Sequence, residues 1–85
     1  MDIYKRSYNF SLMRIVAVKI SLEEFIRSTR SFGAAAIYAN SSILETLKTE
    51  FKSKTGSDLI FEERENDLSP NSKKLNKYFV FVQYA

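Results

Sequence analysis

Glu62, Glu63 and Glu65 form the densest group of carboxylates in the chain, and such a group is the usual way to hold a hard cation. On an extended backbone, however, alternate side chains point to opposite faces, so Glu62 turns away from Glu63 and Glu65. Only one pair converges, and a charged strand edge that repels other strands accounts for the group better than metal binding does. Glu23 and Glu24 fall at the start of a helix, where the backbone dipole favours negative charge. The chain has no histidine and no cysteine. The commonest metal ligands, the neutral-pH proton carrier and the thiol nucleophile are therefore missing. No Ser-x-x-Lys spacing occurs, so a serine nucleophile would need a lysine base supplied by tertiary contact alone. The 2 glycines, Gly33 and Gly56, cannot build a phosphate-cradling loop or a dinucleotide fingerprint. No catalytic residue, metal ligand or cofactor is expected. The sequence points to a non-enzymatic protein that acts by binding, molecule for molecule.

The elements that must present such a binding surface follow from patterning. With 85 residues, 45% hydrophobic and 14% aromatic, the chain is expected to form one α+β domain over residues 1–85. From Tyr8 to Ile20 the sequence alternates. Phe10, Leu12, Val16, Val18 and Ile20 share one side and Met13, Ile15 and Ala17 the other, which predicts one long strand, bent near Arg14. Ser21-Leu22-Glu23-Glu24 reads as a capping box, with Ile20 and Phe25 placed as a hydrophobic staple. The helix it opens buries Leu22, Phe25, Ile26 and Thr29 and stops at Gly33. Ala34 to Ala39 suits either a helix or a buried strand, and the flanking Gly33 and Asn40-Ser41-Ser42 favour the strand. Ser42-Ile43-Leu44-Glu45 repeats the capping box and starts a second helix, which carries Ile43, Leu44, Leu47 and Phe51 and ends at Gly56.

Leu59 and Phe61 alternate with Asp58, Ile60 and Glu62 in a further strand, and Tyr78 to Tyr84 make the last. Between them, Glu65 to Asn76 is polar apart from Leu68 and Leu75. Ser69-Pro70 there either caps a helical turn or turns a hairpin loop. The expected architecture is a single-layer sheet of three to four strands, order β-α-(β)-α-β-β, with a C-terminal hairpin and two helices packed on one face.

The formal net charge is +3, unevenly spread. Lys5, Arg6, Arg14, Lys19, Arg27 and Arg30 outweigh Asp2, Glu23 and Glu24 near one end. Asp58, Glu62, Glu63, Glu65 and Asp67 form an acidic block, and Lys73, Lys74 and Lys77 follow it. In the last strand Tyr78, Val80, Val82 and Tyr84 share one face and Phe79, Phe81 and Gln83 the other, so neither face is polar. Lys77 to Tyr84 resembles the RNP1 strand of RNA-recognition domains, a basic residue followed by aromatics on an open face, here Lys77, Phe79 and Phe81, with Val82 and Tyr84 inward. The resemblance covers eight residues. It departs from the family where Tyr78 and Val80 replace glycine and a small residue, and in the absence of a following helix and strand.

Two short helices cover one sheet face and leave the other open, exposing Phe79 and Phe81 with Met13, Ile15, Ala17, Lys19 and Ile60. The leading expectation is RNA or a ribonucleoprotein, its bases stacking on Phe79 and Phe81 and its phosphates neutralised by Lys5, Arg6, Lys19, Lys73, Lys74 and Lys77. The alternative is an inhibitor or adaptor that engages a protein partner, or itself as a homodimer, through the same face with Met13 and Ile15. The richness in Lys, Ile, Phe, Tyr and Asn fits an AT-rich coding sequence of the kind small phage or plasmid accessory proteins have. No apolar run approaches the length of a membrane span. Lys5 and Arg6 lead into Tyr8-Asn9-Phe10-Ser11 and Arg14, which is no export-signal pattern, so a cytoplasmic location is expected.

Overall fold

The computed structural model describes residues 1–68 and 74–83. Its elements in chain order are strands β1 (Ile3–Asn9) and β2 (Arg14–Ile20), helix α1 (Leu22–Phe32), strand β3 (Ala34–Ala39), a 3₁₀ turn (Ser41–Ile43), helix α2 (Leu44–Thr55), and strands β4 (Asp58–Arg64) and β5 (Asn76–Gln83). The class is α+β, with one five-stranded sheet instead of three to four strands. Ser69, Pro70, Lys73 and Tyr84 lie outside the described residues.

The added strand comes from the N-terminal segment. The expected long strand from Tyr8 to Ile20 is instead one arm and the turn of an antiparallel hairpin, β1 pairing β2 from Ile3↔Ile20 to Asn9↔Arg14. The reversal is local chemistry: the Asn9 side-chain oxygen accepts the Leu12 N–H at 2.9 Å, and Met13 takes a left-handed φ of 54°. Phe10 and Leu12 consequently leave the inward face assigned to them and stand exposed in the turn.

Ser21 caps α1 as expected, accepting the Glu24 N–H at 3.1 Å, and Gly33 closes it at φ 73° with its N–H on Thr29 O. Glu24 does not complete the capping box; its carboxylate receives Lys5 Nζ at 3.2 Å. The second box is displaced. Asn40, not Ser42, supplies the cap, its side chain accepting the Ser42 N–H at 2.9 Å, and the chain winds one 3₁₀ turn before α2 begins at Leu44. Residues 34–39 are strand and occupy the centre of the sheet.

Strand order is β2-β1-β3-β5-β4, with every neighbouring pair antiparallel. Strands β2 and β3 therefore run parallel with β1 between them, and β3 and β4 run parallel with β5 between them. Each helix is the crossover of one such pair, and both crossovers step the same way across the sheet. Right-handed connections then place both helices on one face. They meet there through Phe25 and Phe51, rings edge-on at 5.9 Å. Around that contact gather Ile3, Ile37, Ala39, Leu47, Leu59, Tyr78 and Val80.

The displaced cap is testable. Asn40→Ala should destabilise the fold by about 1 kcal/mol in urea denaturation, and Ser42→Ala by less than about 0.5 kcal/mol. The reverse order would return the cap to Ser42.

Candidate functional site

Facing residues in an antiparallel pair point to the same side, so the register sorts every strand residue to the helix face or the open face. Three rows run across the open face. The first is polar and continuous through all five strands: Lys19, Tyr4, Tyr38, Lys77 and Arg64. The second holds Ala17 and Arg6 on the hairpin and Ala36, Phe79 and Glu62 on the other three strands. The third is apolar, with Ile15 and Tyr8 on the hairpin and Ala34, Phe81 and Ile60 on the other three strands. Charge thus lies at one end of the face and hydrocarbon at the other.

The charged end is occupied from within the chain. Just after β4, Asn66 donates to Leu75 O at 2.6 Å and its side-chain oxygen accepts the Leu68 N–H at 2.8 Å, which turns the segment back over the face. Asp67 then receives the Tyr38 hydroxyl on one carboxylate oxygen, and Arg6 at 2.9 Å and Lys77 at 3.3 Å on the other. Tyr38 is 1% exposed for this reason, although it points away from the helices. The hydrogen bond from Tyr38, helped by Lys77, holds the Asp67 carboxyl down at about 2. Burial, with Asp67 beside it, pushes the Tyr38 hydroxyl up to about 12.

At the apolar end Phe79 and Phe81 stack at 4.9 Å with 30° between their planes. Arg64 lies 5.7 Å from the Phe79 ring centroid. Because Arg64 faces Lys77 across the hairpin, it flanks Phe79 on the side away from Phe81. The β1–β2 hairpin continues the apolar surface outward. It touches β3 in register only at Tyr4↔Tyr38 and then runs on as a two-stranded ribbon, in a molecule 42 Å long and 20 Å thin. Near its tip Tyr8 and Phe10 meet edge-on at 4.9 Å, and Phe10 and Met13 are 81% and 74% exposed.

The anticipated site residues divide as follows. Phe79, Phe81, Ile15, Arg6, Lys19 and Lys77 lie on the open face, and Met13 is in the hairpin turn beside it. Lys5 does not belong there. It faces Val18 on the helix side and pairs with Glu24, because strand β1 begins at Ile3 and fixes its parity. Lys74 is exposed, with φ 53°, ahead of β5, and Lys73 lies outside the described residues. Lys19 pairs with Asp2 at 2.9 Å, which raises its pKa. Lys5, Arg6, Lys19 and Lys77 are thus all ion-paired within the chain. Patterning overlooked Tyr8, Tyr38, Arg64 and Asp67. Tyr8 lay in a misplaced strand, and the Tyr38–Asp67 contact joins residues 29 apart with no local signal.

Elsewhere a small cleft between the helix ends is lined by Arg30, Phe51, Thr55, Ser57 and Val82. Its Thr55 hydroxyl already donates to Phe51 O and accepts the Ser57 N–H. Among the described residues no group of His, Cys, Asp and Glu could hold a metal ion, and no helix is long and apolar enough to cross a membrane.

The Asp67 contact predicts a pH profile with two limbs. A carboxyl depressed from 3.8 to about 2 stabilises the fold above its unfolded value and loses that contribution as pH falls from about 4 towards 2. A tyrosine raised from 10.0 to about 12 stabilises below pH 10 and loses it as pH rises through 12. Asp67→Asn should therefore lower stability at pH 7 and flatten the acid limb, as followed by urea denaturation at stepped pH. An unchanged acid limb would deny Asp67 that role. No family model, curated protein or solved structure matches this chain.

Proposed function

We propose that the chain is a non-catalytic binding protein that holds a protein partner against the apolar end of its open sheet face. The observation that carries this is the pairing of opposites on that face. The cations are neutralised internally, three of them by Asp2 and Asp67, while Tyr8, Ile15, Ile60 and the hairpin turn residues Phe10 and Met13 meet solvent unpartnered by any helix. Desolvating an aromatic and aliphatic patch is the main source of affinity at the centre of protein interfaces, with charges kept to the rim. Here the rim is the Lys19, Lys77 and Arg64 row.

RNA is the second reading, favoured by the stacked Phe79–Phe81 pair with Arg64 and Lys77 beside it. Bases stack on such rings for about 1–3 kcal/mol each, and cations nearby neutralise the backbone. Against it, Asp67 holds the point where Arg6 and Lys77 converge, and Phe79 is already flanked by Phe81 and Arg64.

Capture of partners from lysate by the full chain, with and without nuclease, separates the two. The protein reading expects a partner that survives nuclease and is lost when Phe81→Ser is combined with Ile60→Ser, the circular dichroism spectrum being unchanged. Loss of every partner on nuclease treatment, together with salt-sensitive binding of a single-stranded RNA oligonucleotide, would transfer the face to RNA.

A further inference from the structure

Strand β2 closes one edge of the sheet and β4 the other, and the two edges are guarded differently. Strand β4 carries Asp58, Glu62, Glu63 and Arg64, charges of the kind that keep foreign strands away. Strand β2 reads Arg-Ile-Val-Ala-Val-Lys-Ile, without proline or glycine, and among the described residues it is paired on its β1 side only. The helices lie elsewhere, α1 against β3 and α2 against β4. Ile15 and Val18 remain exposed. An edge with two charges in seven residues, one of them Lys19 already held by Asp2, is a template for another strand.

We propose that the occupant is a second copy of this chain, its β2 joined antiparallel to β2 about a twofold axis through Ala17, so that two sheets become one. The register is what selects a second copy. Facing residues in an antiparallel pair must match in hydrogen-bonding orientation, which restricts symmetric pairings to those centred on a residue. The one centred on Ala17 pairs all seven residues of the strand. It sets Arg14 of one copy against Ile20 of the other, Ile15 against Lys19, Val16 against Val18, and Ala17 against itself. No like charges meet, and Lys19 is held by Asp2 of its own chain at 2.9 Å. Two Val16–Val18 contacts form on the helix side, where Val18 is otherwise exposed.

Charge complementarity supports the same register. Arg14 shares the helix face with Val16, Val18 and Ile20. Opposite Ile20 of the other copy, it arrives beside the first turn of α1, whose acidic residues are Glu23 and Glu24. Among the described residues neither Arg14 nor Glu23 has an ion-pair partner within the chain. Paired residues point to the same side, so the two open faces end side by side on one surface. The pairing stands independently of what that surface binds.

Sedimentation of the full chain should show a concentration-dependent dimer. The chain has no cysteine, so Ala17→Cys introduces a lone thiol on the axis, where facing Cα atoms lie within disulfide reach. Under mild oxidation it should give a reducible covalent dimer, whereas Ile60→Cys, on the opposite edge strand, should not. Arg14→Glu should weaken dimerisation about tenfold, and Glu23→Arg added to it should restore the native value. That rescue would not follow from a general folding defect. A monomer at every concentration, equal cross-linking of Ile60→Cys, or failure of the charge swap would each overturn the proposal.

Discussion

Both crossovers step in the same direction across the sheet, and their common handedness is the constraint from which the other features descend. It commits α1 and α2 to one face, where Phe25 and Phe51 seal the layer between them. Helices of 11 and 12 residues then pack chiefly on β3 and β4, over a core that Ile3 of β1 and Tyr78 and Val80 of β5 complete. Among the described residues no helix or strand covers the opposite face or the outer side of β2. In so short a chain an aromatic residue in a central strand must either pack under a helix or face outward, and β5 does both. Tyr78 and Val80 go under the helices, and Phe79 and Phe81 face away from them.

What partly compensates is a turn of backbone and one carboxylate. Tyr38 lies at the centre of the sheet on the side without helices, and a buried hydroxyl there requires a partner. Asp67 provides it and in doing so gathers Arg6 and Lys77 as well. Exposed ion pairs contribute little one at a time. This group differs because it is anchored on a buried phenol, so its loss would open the sheet centre to water. The contact also decides the character of the face, since it removes free positive charge from the end where cations are densest and leaves hydrocarbon as the exposed chemistry.

The elements fixed by neighbours in sequence were legible, and those fixed across the fold were not. Ser21 with Gly33 bounds α1, and the alternation of Leu59 and Phe61 places β4, because caps and strand parity are local. The opening of an uncovered face was legible too, from helix number alone. The N-terminal hairpin was hidden because Phe10 and Leu12 continue the period of the strand that follows. Only the Asn9 side chain and the left-handed Met13 show the reversal. The face of Lys5 depends in turn on where β1 begins, which the same reversal sets. Asn40 was overshadowed by Ser42 since both suit a cap, and the choice was made by the end of β3 at Ala39. Asp67 carried no signal at all, as its partners Arg6, Tyr38 and Lys77 come from three different strands.

The hairpin bears most directly on why the molecule has this shape. Two-stranded ribbons are marginal in water unless a third strand or a helix supports them. Here β1 meets β3 in register at a single residue pair, so the outer ribbon depends on its own cross-strand contacts. Those contacts are the ladder from Ile3↔Ile20 to Asn9↔Arg14, closed at the tip by Tyr8 on Phe10 and by the weak bond from the Tyr8 hydroxyl to Met13 Sδ at 3.8 Å. A ribbon serving only to end the sheet would be stabilised by polar side chains at its tip, which lose nothing in water. This tip carries Phe10, Leu12 and Met13, whose exposure is unfavourable by about 25 cal/mol for each Å² left in water. The same residues become favourable once another surface covers them. The extended arm and the β2 edge lie at the same side of the fold, beside Ile15 and Tyr8 at the hairpin end of the apolar row, and an association there would recover the stability that the isolated ribbon lacks.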